Sequence, residues 1–252
     1  MPDSRLALSA RLADSAEDLR AVQALRYDVF VRELGGDGAG VDHAAGLERD
    51  RFDDFSEHML VEDEATGEVV AVYRLLREDQ ARAAGGFYSE TEYDLAPLKR
   101  SGRRLMELGR SCLHRDYRGG MAMFHLWNAL AEHVARHGIE LLFGTASFHG
   151  TDPVELAQPL SLLHHAHLAP EELRVRSTAH QPMDLLAPEA LDRRAAMLAM
   201  PALIKAYLRL GGVVGDGAFV DREFNTTDIC LILDTAVMSE RNRRIYGGAV
   251  GR

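Results

Sequence analysis

Cysteine is scarce in this chain: Cys112 and Cys230 are the two among 252 residues. Both sit in apolar segments and match no metal-ligand spacing, so they are expected to be reduced, buried thiols of a cytoplasmic protein. Positive charge is short as well. A net charge of -10 argues against nucleic-acid binding and broad adhesion to anionic membrane, because both need a basic footprint. No apolar run approaches the length of a membrane span, and no basic N-terminus precedes an apolar core. Any membrane contact is then expected to be peripheral. Internal repeats, low-complexity tracts, a clear linker and a Gly-x-Ser-x-Gly elbow are also missing. What is there suits one large domain, or a core with an extension. Apolar residues at 46% and charged residues at 27% are ordinary for a globular chain.

Ser15-Ala16-Glu17-Asp18 resembles a capping box, and Leu19, Val22, Leu25, Val29 and Phe30 follow at helical spacing. This predicts a helix from Ala16 to Leu34, closed by Gly35-Gly36, with Arg26, Phe30 and Glu33 on one face. Residues 35–51 are glycine-rich and acidic without periodicity, and are expected as a mobile loop. Strands are expected over 58–62 and 68–76, joined by Ala65-Thr66-Gly67. Residues 81–102 are expected mostly as loop. Leu105 to Cys112 reads as a strand. Strict alternation puts Glu107 and Arg110 on opposite faces, whereas a bulge near Gly109 brings them to one side and splays the strand. Met123, Leu126, Trp127, Leu130 and Val134 make a helical stripe that stops at Gly138, and 139–146 follow as a short apolar strand. Residues 192–210 look helical with a break at Pro201, and 218–233 hold two strands around Asn225-Thr226-Thr227-Asp228. This order predicts an α/β sandwich on a mixed sheet. Residues 1–150 are expected as a core and 151–252 as an extension packed on it in one continuous domain.

One stretch stands apart. Glu107-Leu108-Gly109-Arg110 puts a carboxylate and a guanidinium three residues apart in an apolar run, with Arg26, Asp50, Asp53 and Arg74 upstream. Such charges are costly unless they pair or act. Two uses are open: an ion-pair cluster of Arg26, Asp50, Asp53, Arg74 and Arg110 that orders the loop, or a substrate site. A substrate amine completing the cluster would satisfy both. His164, His165 and His167 have a spacing that fits no structural zinc site, so a helix end or a substrate-side contact is expected there and no metal. His149 precedes a turn at Gly150-Thr151-Asp152-Pro153.

The same residues resemble a known family. Arg26-Tyr-Asp-Val-Phe30, Asp50-Arg-Phe-Asp53, His58-Met-Leu-Val61, Tyr73-Arg74-Leu-Leu76 and Glu107-Leu-Gly-Arg110 look like the ornithine-lipid N-acyltransferases. The blocks Ser147 to Pro153, Leu163 to Pro170, Pro201 to Gly211 and Phe224 to Asp228 are similar to that family too, and the resemblance runs from about Ala21 to Tyr246. It implies a GNAT-like three-layer sandwich with a mixed central sheet and a C-terminal α/β extension, shared with the more distant acyl-homoserine-lactone synthases. It also implies transfer of a 3-hydroxyacyl chain from acyl carrier protein to the α-amino group of ornithine. No cofactor is implied beyond the carrier's acyl-phosphopantetheine, which is the donor substrate. Two departures bear on this. Gly36 stands where the synthases carry a tryptophan that closes over S-adenosylmethionine. In Arg118-Gly119-Gly120-Met121, Met121 replaces the first glycine of the loop that cradles the coenzyme A pyrophosphate; a carrier-protein donor has no pyrophosphate.

For the residues, the resemblance implies the following roles. Glu107, with Arg110 beside it, is the catalytic candidate, taking a proton from the acceptor ammonium directly or through a water. Backbone N–H groups freed by the bulge would meet the oxyanion. Arg26, Phe30, Asp50, Asp53, Arg74, Ser147 and His149 are the substrate-binding candidates, with Asp50 and Asp53 facing the acceptor's two ammonium groups; Phe30 serves either the core or the acyl chain. An acidic carrier protein needs a basic dock, for which Lys99, Arg100, Arg103 and Arg104 precede the Glu107 strand and Arg115 and Arg118 follow it. Arg193-Arg194 and Arg241 to Arg244 are weaker candidates and suit anionic lipid. The expected protein is a cytoplasmic enzyme, peripheral at an inner membrane if it meets one. A glutamine or lysine acceptor, an acyl-homoserine-lactone-type synthase and a non-catalytic carrier-binding module are the alternatives.

Overall fold

The computed structural model describes residues 7–237. They divide into two compact units that interleave along the chain. The first takes the chain through Leu76 together with Leu108–Gly138, and the second takes Arg77–Glu107 with Ile139 onward.

In the first unit, Ser15 caps a helix over Ala16–Arg26, its hydroxyl accepting the Asp18 N–H at 3.1 Å. Glu17 and Asp18 in the first turn complement the helix dipole. From Tyr27 to Glu33 the helix continues as a π-helix, a wider coil that is uncommon and frequent at functional sites. The widening breaks the expected single face. Arg26 is fully buried, Phe30 packs half-buried beside Val22, Leu25, Val29, Leu60 and Cys112, and Glu33 reaches Arg118 at 2.5 Å.

The expected loop over 35–51 is instead ordered around a small hairpin of Val41–Asp42 with Leu47–Glu48. Its ends approach closely: Arg49 N–H donates to the Gly40 carbonyl at 3.0 Å, and a Cβ on Gly40 would stand 1.9 Å from the Arg49 carbonyl oxygen. Only glycine fits there, and the fold of this segment follows from that contact rather than from periodicity. Leu8–Leu12, Glu57–Asp63 and Glu68–Arg77 pair antiparallel in that order, with a register shift between Val61 and Glu62. A helix over Ala122–His137 buries Leu126, Trp127, Leu130 and His133 and ends at a left-handed Gly138.

In the second unit, Leu105–Glu107 runs parallel to Leu141–Phe143, while Leu141–His149 runs antiparallel to Thr226–Asp234. The sheet is therefore mixed. Phe219–Asp221 and Val213–Val214 pair with the same Thr226–Asp234 strand. The segment expected mostly as loop holds short helices over Glu78–Ala83 and Ala96–Arg100 and a 3-10 turn over Tyr88–Thr91. Helices over Arg193–Ala199 and Ala202–Arg209 flank Pro201, which immediately precedes the second. His164, His165 and His167 lie in the last turn of a helix over Ala157–His167, where His165 Nε2 lies 2.8 Å from the Leu186 carbonyl.

Candidate functional site

The charges singled out in the first unit meet in one buried network. Arg26 comes from the helix just before its π-helical stretch, Asp50 and Asp53 from the chain after the hairpin, and Arg74 and Arg110 from strands. Arg26 Nη1 donates to Asp53 Oδ1 at 2.8 Å and Arg74 Nη1 to the same oxygen at 3.0 Å. Arg74 also reaches Asp50 Oδ1 at 2.6 Å, and Arg110 Nη2 reaches Asp50 Oδ2 at 2.9 Å. A member that sequence reasoning missed closes the ring. Glu48, on the hairpin, accepts from Arg110 Nε at 3.1 Å and from Arg26 Nε. Gln23 Nε2 adds a bond to Asp53 Oδ2 at 3.0 Å.

Three guanidinium groups thus face three carboxylates, a formally neutral set, which is the condition under which buried charge is tolerated. Burial opposes ionisation of Asp50, but Arg74 and Arg110 outweigh it and hold its carboxyl well below the usual range. Burial likewise opposes the charge on Asp53, and Arg26 and Arg74 overcome it. The side chains of Arg26, Glu48, Asp53 and Arg74 are at most 2% exposed, against 14% for Arg110 and 18% for Asp50. Solvent therefore reaches this network along its Asp50–Arg110 edge.

Arg110 gets there by an unusual backbone. Its φ is 52°, a left-handed conformation that costs an arginine about 1–2 kcal/mol. The irregularity expected at Gly109 falls one residue later. Gly109 itself lies under the Arg74 guanidinium, whose Nη2 would stand 3.8 Å from an added Cβ.

Glu107 belongs to the second unit, and its surroundings differ. Its side chain is 3% exposed and accepts the Tyr88 N–H at 2.8 Å, the Ser89 N–H at 2.6 Å and the Ser89 hydroxyl. The carboxylate thus fastens the 3-10 turn, and any proton it takes up must compete with those donors. Ser147 and His149 are exposed on the Leu141–His149 strand, opposite Asp228 and Thr226 respectively. Ser89, buried within the expected loop over 81–102, had no sequence signal. The thiols of Cys112 and Cys230 are buried and free; burial pushes both well above the ordinary thiol range.

The basic residues are largely engaged. Lys99 pairs with Glu90, Arg103 holds Asp234 with two bonds of 2.5 and 2.6 Å, and Arg104 lies 3.9 Å from Glu140. In the first unit Arg118 holds Glu33, and Arg115 stands 4.0 Å from Asp116. Arg100 is exposed. Met121, 55% exposed, precedes the helix that begins at Ala122. Arg241, Arg243 and Arg244 lie outside the described residues. No helix among the described residues is long and apolar enough to cross a membrane.

Residues 25–128, which include the ion-pair network and the Glu107 strand, match the Acetyltransferase (GNAT) domain. The chain is an acyltransferase of GNAT type. It is 59% identical over 98% of its length to the L-ornithine N(alpha)-acyltransferase of Rhodobacter capsulatus, covering 97% of that protein. It is 41% identical to the enzyme of the same name from Brucella abortus, over 97% of this chain and 90% of that one. The chain belongs to the L-ornithine N(alpha)-acyltransferase family. In fold it is similar to the acyl-homoserine-lactone synthase LasI, with a TM-score of 0.51, 16% identity and coverage of 97% of this chain and 98% of that one.

Proposed function

We propose that this enzyme moves a 3-hydroxyacyl chain from acyl carrier protein to the α-amino group of ornithine, giving a lyso-ornithine lipid. The observation that carries the reading is the full-length identity of 59% to a protein named for that acceptor. The reaction forms an amide bond and breaks a thioester: the amine attacks the carbonyl, the ammonium's proton passes to a base, and the carrier's thiolate leaves. The donor arm is acyl-phosphopantetheine, and no cofactor of the enzyme's own takes part.

In this reading Glu107 accepts the proton through a water, because three hydrogen bonds already occupy its carboxylate. Those same bonds favour a second reading, in which Glu107 positions the Tyr88–Ser89 turn and does not take the proton. Asp50 and Arg110 are the contact edge of the ion-pair network, and Arg26, Asp53 and Arg74 hold them in place. Phe30 packs with the core, and Ser147 and His149 face substrate. Arg100 with neighbouring Lys99, Arg103 and Arg104 in the second unit, and separately Arg115 and Arg118 in the first, are the basic groups offered to the carrier protein. Work on a lipid precursor would place the enzyme in the cytoplasm, peripheral at the inner membrane.

The test is product mass after incubating the protein with 3-hydroxyacyl carrier protein and ornithine, glutamine or lysine separately. Acyl-ornithine as the dominant product is expected. Acyl-glutamine would overturn the acceptor assignment, and no product with the carrier still bound would point to a binding module.

A further inference from the structure

Beyond the ion-pair network, two groups of metal-ligating side chains come together among the described residues: Glu92, Asp221 and Asp228 in the second unit, and Glu57, His133 and His137 in the first. The acid group offers oxygen alone. The other joins a carboxylate to two imidazoles, a donor set suited to borderline metals such as zinc. Regular structure brings its parts together. On the helix over Ala122–His137, Leu126, Leu130, His133 and His137 recur at helical spacing, so the two histidines prolong the apolar stripe. On the Glu57–Asp63 strand, His58 turns to the Asp53 carbonyl and Leu60 to Val22 and Leu25 of the first helix. Alternation then turns Glu57 and Met59 the other way. The Ala122–His137 helix lies against this strand, with His133 Nε2 at 3.6 Å from Glu57 Oε2.

The separations suit an ion. One ligand atom from each of Glu57, His133 and His137 lies within 4.8 Å of the other two. The 3.6 Å between His133 and Glu57 is long for a hydrogen bond. It is close to the about 3.4 Å that separates two ligands of a tetrahedral ion with bonds of about 2.1 Å. The rings of His133 and His137 stand 4.4 Å apart between centroids, and histidines at i and i+4 on one helix face are a recurrent zinc-binding pair. His137 ends the helix and Gly138 closes it in a left-handed conformation, so the negative end of the helix dipole lies at the same place and favours a cation. His133 is 3% exposed, Glu57 26% and His137 half-buried. An ion would thus enter from the Glu57–His137 side, where water completes its coordination. Each ligand keeps a second polar atom, the other ring nitrogen or the other carboxylate oxygen, so ligation is compatible with the further bonds these side chains make.

We infer that Glu57, His133 and His137 form a site for a zinc-class divalent cation, which clamps the end of the Ala122–His137 helix to the start of the Glu57–Asp63 strand. That strand begins four positions after Asp53, so the clamp steadies the chain just beyond an acid of the ion-pair network. An ion held by the folded chain alone adds its binding free energy to stability. Magnesium and calcium, which take oxygen ligands, are poor occupants. The donor and acceptor of the acyl transfer do not enter, so the clamp stands or falls apart from that reading.

The test strips the full chain of metal with a chelator. Zinc or magnesium is then titrated into the parent protein and into Glu57→Gln, His137→Ala and His165→Ala, following bound metal per chain and Tm. The parent should bind zinc at one tight site and melt higher with zinc, with no such rise from magnesium. Glu57→Gln and His137→Ala should each weaken that site at least about 100-fold, beyond the 10–100-fold that loss of an outer partner costs, and lose the rise in Tm. His165→Ala, at a helix end in the second unit, should keep both. Glu57 and His137 are chosen because both are partly exposed, and glutamine preserves the shape of Glu57; metal-free melts check that each variant folds. The chain has 11 histidines, so parent-like zinc affinity in either ligand variant means adventitious binding elsewhere and overturns the clamp. No zinc on the parent also overturns it. Joined to a lower metal-free Tm in Glu57→Gln, that outcome assigns the same residues to a plain imidazolium–carboxylate ion pair. None of these readouts uses turnover, so a failed clamp and a failed acyl-transfer reading are told apart.

Discussion

Two buried groups of charge differ in composition. In the first unit every carboxylate of the network shares an arginine, and six side chains from a helix, a hairpin, a loop and two strands close into a neutral ring. In the second unit the three carboxylates of Glu92, Asp221 and Asp228 lie together. Both groups are costly to bury. A ring that brings its own counter-charges is suited to holding structure. The lesson is that burial of charge says little about function until the signs are added up.

The largest expected effect falls on Glu107, a buried carboxylate outside both groups. If it takes the proton, Glu107→Gln should lower kcat about 10²- to 10⁴-fold with folding unchanged. If it only fastens the Tyr88–Ser89 turn, the rate should fall little and Tm should drop, as a thermal melt beside the kinetics would reveal. Next comes Asp53→Ala, which leaves Arg26 and Arg74 buried with one partner fewer and should cost about 3–5 kcal/mol in urea denaturation. Asp221→Asn in the acid group should change ligand-free stability by no more than about 0.5 kcal/mol. Similar losses from both would erase the distinction drawn between the groups.

Acid sharpens the comparison further. Asp50 and Asp53 ionise more readily folded than unfolded, so their contribution is complete above an unfolded value of about 3.9 and disappears as pH falls below it. His58 and His167 are held below their ordinary value, chiefly by burial. The unfolded chain therefore binds their protons first, and stability should begin to fall below about pH 6.5, then steepen below about pH 4. A stability curve flat down to pH 3 would contradict the network's role. A further effect is local: Asn225 immediately precedes the Thr226–Asp234 strand at a φ of 52°. Asn225→Ala should cost about 1 kcal/mol and Asn225→Gly close to nothing, measured by thermal melts.

Much of the framework was legible in order along the chain. The Ser15 cap, the hairpin around Gly67, the Glu107 strand, the helix closed by Gly138 and the hairpin at Asn225 each carry a local signal, and each forms. The misses share a cause. The π-helical widening at Tyr27–Glu33, the ordering of residues 35–51 and the left-handed Arg110 depend on contacts with distant segments. Periodicity could not report them.

By itself, the sequence determined the order of elements and nominated Arg26, Asp50, Asp53, Arg74 and Arg110 as a buried charged set, because charge in apolar runs is unstable without partners. It could not determine which partners. Glu48 sat in an apparently irregular segment, Ser89 in another, and Glu92, Asp221 and Asp228 are spread over well more than a hundred positions of chain. Only strand register and loop closure decide which of these side chains meet in space. Electrostatic energy depends on separation in space, and separation along the chain does not fix it.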